Sequence, residues 1–180
     1  MINPQPLPQM DPSLIRIDNR LVHGQILEAW VPFIGASHIV VVNDDVANDL
    51  FRESVIKMAV PREIETRVYS IEKFSTGLAY KNYTEKRSII LFSTIEDLLR
   101  AYKLGFRFDR LNIGNIHNDD CICQPTMSIS LNKSNMEDLM LLANSGIKIE
   151  IRCVPRDRPV DFLEVVKKYR NSQYNIHHRP

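Results

Sequence analysis

Charge excess is the first thing this chain lacks. Its 23 Lys and Arg stand against 22 Asp and Glu, a formal net charge of +1, so the basic footprint that duplex nucleic acid demands is missing. Long apolar runs are missing too. None nears the roughly 18 to 20 residues that span a bilayer, and the opening MINPQPLPQMDP has neither the basic nor the apolar region of a secretory leader. The expected location is cytoplasmic. Cysteine is scarce and odd in number, and Cys121, Cys123 and Cys153 read as thiols rather than a disulfide framework. Neither GxxxxGK[ST] nor GxGxxG occurs, which counts against a nucleotide-dependent enzyme. There are no internal repeats.

A length of 180 residues, 44% hydrophobic and 25% charged, supplies one substantial core and is short for two. The expected organisation is a flexible, proline-rich arm over residues 1–12, one domain over 13–171 and a polar tail over 172–180. Short β-branched runs such as HIVVVN, SIILF and IKIEIRCV predict strands at about 14–18, 38–43, 66–70, 88–92, 110–113, 127–131 and 147–153. Apolar residues three or four apart predict helices at about 25–34, 46–60, 71–80, 95–104, 135–145 and 160–170. Thr94 with Asp97 and Ser134 with Glu137 resemble capping boxes, Asp45 is an expected N-cap, and Gly105 and Gly146 sit where left-handed C-caps belong.

Strand and helix alternate with short links, and parallel neighbours need crossovers. The fold class is therefore α/β: an open, mostly parallel twisted sheet of about seven strands with helices on both faces. Such sheets bind ligands beyond the carboxyl ends of their strands, where the strand order reverses. The loops to read are those after the strands: Asp18-Asn19-Arg20 to Gly24, Asn43-Asp44-Asp45, Ser93-Thr94, and Gly114-Asn115 onward.

The first loop is the richest. It sets a cation, Arg20, a titratable nucleophile, His23, and Gly24 before a helix N-terminus, whose free N–H groups favour anions. A neutral imidazole is nucleophilic near pH 7, and a phosphoryl group on it adds negative charge that an arginine and backbone donors stabilise. Taken alone, a loop histidine is more often a cap or a solvent-facing residue than a catalytic one. Asp44, Asp45 and Asp49 are read as capping residues ahead of a Mg²⁺ site. His117, Cys121 and Cys123 form H-x3-C-x-C, but a fourth ligand at a standard spacing is missing, so no metal is expected. Trp30, Phe33 and Ile34 are read as core.

RIDNRLVHGQI, then HIVVVNDDVANDLFRESVIKMAVP, LNIGN and IKIEIRCVPRDRP, in that order over about residues 14–170, resemble the IIB component of the mannose/fructose/sorbose family of the bacterial phosphotransferase system. The resemblance implies a phosphotransferase of the protein-Nπ-phosphohistidine–sugar type with no cofactor of its own. A phosphohistidine on the IIA component passes its phosphoryl group to His23, which passes it on to a sugar bound in the membrane components IIC and IID. The carrier would then work at the inner face of the membrane. His23 matches the phosphorylated histidine, with Nδ1 as the implied acceptor atom, and Arg20 matches the arginine that stabilises the phosphate. Asp18, Asn19 and Gly24 support the loop, with Ser93 and Thr94 as weaker phosphate contacts.

Two departures stand out. Asn19 replaces a frequent Asp and removes a negative charge beside the phosphate. Asn115 replaces a frequent Gly and is expected to take the left-handed conformation of that glycine. Two other readings remain open: a regulatory or adaptor phosphoprotein that keeps the relay histidine, and a phosphate-binding or thiol-dependent enzyme using Cys121 or Cys123. A homo-oligomer is compatible with the sequence, and no nucleic-acid partner is expected.

Overall fold

The computed structural model describes residues 13–76, 79–84 and 87–177; the N-terminal arm lies outside them. β1 (Ser13–Asp18), β2 (His38–Val42), β3 (Glu65–Tyr69), β4 (Ser88–Phe92), β5 (Arg110–Asn115), β8 (Lys148–Ile151) and β9 (Val160–Asp161) form a sheet of seven strands. Their order is β3-β2-β4-β1-β5-β8-β9, with every pairing parallel except β8 with β9. The expected α/β architecture is thus present. The order reverses about β1. β2, β3 and β4 lie to one side of it and β5 and β8 continue on the other, so the carboxyl end of β1 opens on the switch point where such sheets hold ligands.

Strand alternation sends neighbouring side chains to opposite faces. Ile15 and Ile17 join Val40, Val42, Ile90, Phe92, Leu111 and Ile113 in one core. It is covered by α4 (Ile71–Thr76), α6 (Ile95–Lys103), α7 (Lys133–Asn144) and α8 (Phe162–His177). Ile39, Val41, Ile89 and Leu91 face the other core, covered by a π-helical turn (Ile26–Trp30) running into α1 (Val31–Ile34), then α2 (Asp44–Ala47) and α3 (Leu50–Ala59). Pro32 explains that wide turn. It has no N–H, and its ring crowds the carbonyl four residues back, so the helix widens ahead of it and the Val31 N–H reaches Ile26 O.

Several boundaries differ from expectation. The helix predicted over 46–60 is broken at Asn48-Asp49 into α2 and α3, because two competing caps lie close together. Asn43, not Asp45, caps α2 by accepting from Val46 N–H at 2.9 Å, and Asp49 caps α3. The helix predicted over 71–80 ends at Thr76, and α5 (Lys81–Thr84) follows. The segment 127–131 does not enter the main sheet. Its end, β7 (Ile129–Leu131), makes a separate hairpin with β6 (Cys123–Thr126), and β9 supplies the seventh strand. α7 is capped by the Asn132–Asn135 box, two residues before the expected Ser134. α8 continues to His177, past the predicted end at 170. Thr94 does cap α6, accepting from Asp97 N–H at 3.1 Å, and Gly105 and Gly146 have φ of 112° and 92°.

Candidate functional site

β1 delivers two charged side chains into the protein. Arg16 and Asp18 have fully buried side chains and meet at 2.8 Å, Nη2 to Oδ2. They occupy the alternate face of a strand whose other face carries Ile15 and Ile17. Burying two charges is tolerated only where each is paired and hydrogen-bonded, and here both are. Arg16 donates from Nη1 to Asn112 Oδ1 and to Arg152 O at 3.0 Å, and from Nη2 to Asp18 and to Cys153 O at 3.1 Å. Its guanidinium lies 5.2 Å from the Trp30 ring centroid, within cation–π range.

Gly114 makes this possible. A Cβ added there would fall inside the Arg16 guanidinium, so the strand must lack a side chain at that point. Gly114→Ala should lower stability by about 1–3 kcal/mol through overpacking, read as a lower urea midpoint with an unchanged slope.

After Asp18 the chain leaves the sheet in a tight turn. Leu21 N–H donates back to Asp18 O at 2.9 Å, and Leu21 sits at φ 56° with its side chain buried in the second core. A leucine in the left-handed region is costly, of order 1–2 kcal/mol. Burial of its side chain and the turn hydrogen bond hold it there. The expected left-handed Asn115 is not found: among the described residues Leu21 is the only non-glycine with positive φ. Asn115 instead extends β5 and is tied to Asn19, backbone to backbone at 3.1 Å and side chain to side chain.

The turn brings His23 back over Asp18. Its Nε2 lies 3.0 Å from Asp18 Oδ2, and its Nδ1 lies 3.3 Å from the Gln25 N–H. These neighbours decide the tautomer. An ionised carboxylate only accepts, so Nε2 carries the proton; the Gln25 N–H only donates, so Nδ1 presents its lone pair. His23 O also accepts from Ile26 N–H at 2.9 Å. His23 is therefore the cap of the following helix, as the commonplace reading of a loop histidine requires, and its nucleophilic nitrogen faces the positive end of that helix.

Arg20 completes the cluster. Its Nε donates to Asp18 Oδ1 at 3.1 Å and its Nη2 to Asp18 Oδ2 at 3.3 Å and Gln25 Oε1 at 3.0 Å, while 43% of its side chain stays exposed. Burial pushes the Asp18 carboxyl up, but hydrogen bonds from His23 and Arg20 and the charge of Arg16 outweigh it and hold the group well below the usual carboxylate range.

The remaining candidates are less central. Gly24 needs no special backbone conformation, because its φ is not positive and an added Cβ would meet nothing closer than Glu28 Oε1 at 4.0 Å. Gly24→Ala should therefore leave stability within about 0.5 kcal/mol of the parent, measured by thermal denaturation. Ser93 Oγ accepts from Asn43 Nδ2 at 2.8 Å and donates to Asp97 Oδ2 at 3.1 Å, which ties the ends of β2 and β4 together, while Thr94 is a helix cap. Asp44 pairs with Arg100 and accepts from Ile71 N–H. Among the described residues no three His, Cys, Asp or Glu side chains converge as a metal site. Burial raises the Cys123 thiol, with the nearby Cys121 adding to it, which disfavours the thiolate that a nucleophile needs.

Arg16, Gln25 and Gly114 were missed from sequence. A lone arginine at an inward position of LIRID was a visible signal; the part played by the Gln25 backbone had none.

The family model described as PTS system sorbose subfamily IIB component matches residues 12–176. The sorbose-specific EIIB component of Klebsiella pneumoniae is 30% identical over 159 residues, covering 88% of this chain and 97% of the relative. The fructose-specific EIIB component of Bacillus subtilis (strain 168) is 28% identical over 158 residues, with coverage of 88% and 97%. The crystal structure of the IIBSor domain of the sorbose permease from Klebsiella pneumoniae superposes with a TM-score of 0.75 at 30% identity, over 86% of this chain and 95% of that one. The mannose-specific EIIAB component of Escherichia coli (strain K12) is 27% identical over 171 residues, and the match spans 53% of its length.

An open parallel sheet with a paired histidine at its carboxyl edge, matched over nearly its full length to such proteins, defines a sugar-specific component of the phosphotransferase system. The chain belongs to the sorbose subfamily of its IIB components. Components of this kind are phosphotransferases. Among the described residues no helix is long and apolar enough to cross a membrane.

Proposed function

We propose that the protein carries a phosphoryl group on His23 Nδ1, taken from a IIA-type phosphohistidine and passed to a sugar held by the IIC and IID membrane components. The observation that carries this reading is the imposed tautomer: Asp18 engages Nε2–H, which leaves the Nδ1 lone pair at a helix N-terminus. As the donor phosphohistidine arrives the Gln25 N–H passes from Nδ1 to the phosphoryl oxygens, the freed lone pair attacks phosphorus as the P–N bond to the donor imidazole breaks, and the bonding electrons return to the donor nitrogen. The His23 ring then carries positive charge with its proton still on Nε2, where the Asp18 carboxylate stabilises it, as the aspartate of a Ser-His-Asp triad stabilises its imidazolium. Phosphoryl transfer asks mainly for positioning and charge stabilisation. Arg20, half exposed, and the Gln25 N–H are the donors within reach of the transferred group. A relative named as an EIIAB component supports a IIA-type partner.

The test is to incubate the protein with a phosphorylated IIA donor, map the acid-labile, alkali-stable phosphate, then add membranes containing IIC and IID with sugar. Label on the peptide containing His23 that is discharged to sugar phosphate is the expected result. Label confined to a peptide lacking His23, including one with Cys121 or Cys123, overturns it. Label on His23 that never reaches sugar would make the protein a regulatory phosphoprotein instead.

A further inference from the structure

We infer that Arg16 is a positioning residue of this reaction: it holds Asp18 in the orientation that keeps the His23 proton on Nε2 and the lone pair on Nδ1. The inference rests on the proposed role of His23 and assigns a role to a residue that never meets the phosphoryl group. Asp18 Oδ2 is the shared atom, accepting from Arg16 Nη2 at 2.8 Å and lying 3.0 Å from His23 Nε2. Among the described residues Asp18 has no other fully buried cationic partner, since the Arg20 side chain is 43% exposed and free to leave for an incoming phosphate.

Arg16 itself has little freedom. Four of its five N–H donors are used, on Asp18, Asn112 Oδ1, Arg152 O and Cys153 O, and Nε is without a hydrogen-bond partner. Trp30 faces the guanidinium, and Gly114 leaves it the space it fills. Besides Asp18 of β1 and the Trp30 ring, these contacts come from β5 and from the chain just after β8, so the guanidinium registers three adjacent strands at the point where the histidine loop departs. A planar fork with fixed donor directions aims its acceptor in a way that a lysine ammonium does not. A buried ion pair is weak evidence of stability, because apolar residues fill such space as well or better. The arrangement is explained by what it orients.

Arg16→Lys keeps the charge and loses the fork. Its ring ¹⁵N resonances for His23, read at pH about 8.5 where imidazoles are ordinarily neutral, should move towards the average of the two tautomers, and phosphoryl acceptance should slow about 10- to 100-fold. Asn112→Ala loosens Arg16 without removing it, and should give a smaller shift of the same sign. It decides the matter should Arg16→Lys fail to fold. Folded variants whose His23 ¹⁵N pattern matches the parent would show that Arg16 is structural only and overturn the inference. The tautomer is read without any phosphoryl donor. A parent protein that takes no label on His23 therefore overturns the carrier reading separately.

Discussion

His23→Ala should accept no label from a phosphorylated IIA donor and yet remain folded. The loss is complete because no second imidazole is held at the cluster formed by Arg16, Asp18 and Arg20 among the described residues. The fold survives because His23 lies outside both apolar cores, with 16% of its side chain exposed. Two contacts go with the ring, the hydrogen bond to Asp18 and the cap on Gln25, each worth about 1 kcal/mol. A Tm lower by about 4–8 °C with an unchanged circular dichroism spectrum is the expected signature for a chain of this size. Retained label in a folded His23→Ala protein would place the acceptor elsewhere.

Asp18→Asn should cost more in stability than any other exchange in the loop. It leaves the Arg16 guanidinium buried without its counter-charge, and breaking a buried pair costs about 3–5 kcal/mol, or roughly 6–20 °C in Tm. The effect depends on pH. Because the Asp18 carboxyl titrates lower in the folded protein than in the unfolded chain, the stability it contributes is whole above about pH 4 and is lost as pH falls towards the folded value. The gap between parent and Asp18→Asn, measured by urea titration, should therefore be largest near neutrality and narrow below about pH 4. Transfer should suffer as well. An asparagine amide is able to donate to Nε2 and so favour the proton on Nδ1, the tautomer that cannot attack; the equivalent exchange in a Ser-His-Asp triad costs about 10⁴-fold. A gap that stays constant from pH 7 to pH 3 would show that the charge of Asp18 is not what holds Arg16.

The sheet was legible because strands buried on both faces read as continuous β-branched runs, as in HIVVV and SIILF. The break between α2 and α3 was not, because Asn43 and Asp49 are both good caps and spacing alone does not say that each starts its own helix. Ile129–Leu131 has the composition of a core strand and is buried, but its partner is a local hairpin, a choice made by tertiary contacts rather than by propensity. In the site, His23 and Arg20 were visible as a motif. The fork beneath them was hidden because its partners lie far along the chain: Arg16 is paired in register with Asn112 and its guanidinium fills the space that Gly114 leaves open on that strand. Leu21 was hidden for a different reason: nothing in a leucine advertises a left-handed backbone.

The loop from Asp18 to His23 is pinned at both ends, by the sheet and by the helix that His23 caps, and of the two ring nitrogens only Nδ1 offers a lone pair, which rests on the Gln25 N–H. On the proposed carrier role such a shuttle need not swing: donor and acceptor would each meet the same His23 Nδ1, so the two encounters would exclude one another. The order of transfer would then be set by exchange of partners at one site, and an excess of either unphosphorylated partner should act as a competitive brake on the other.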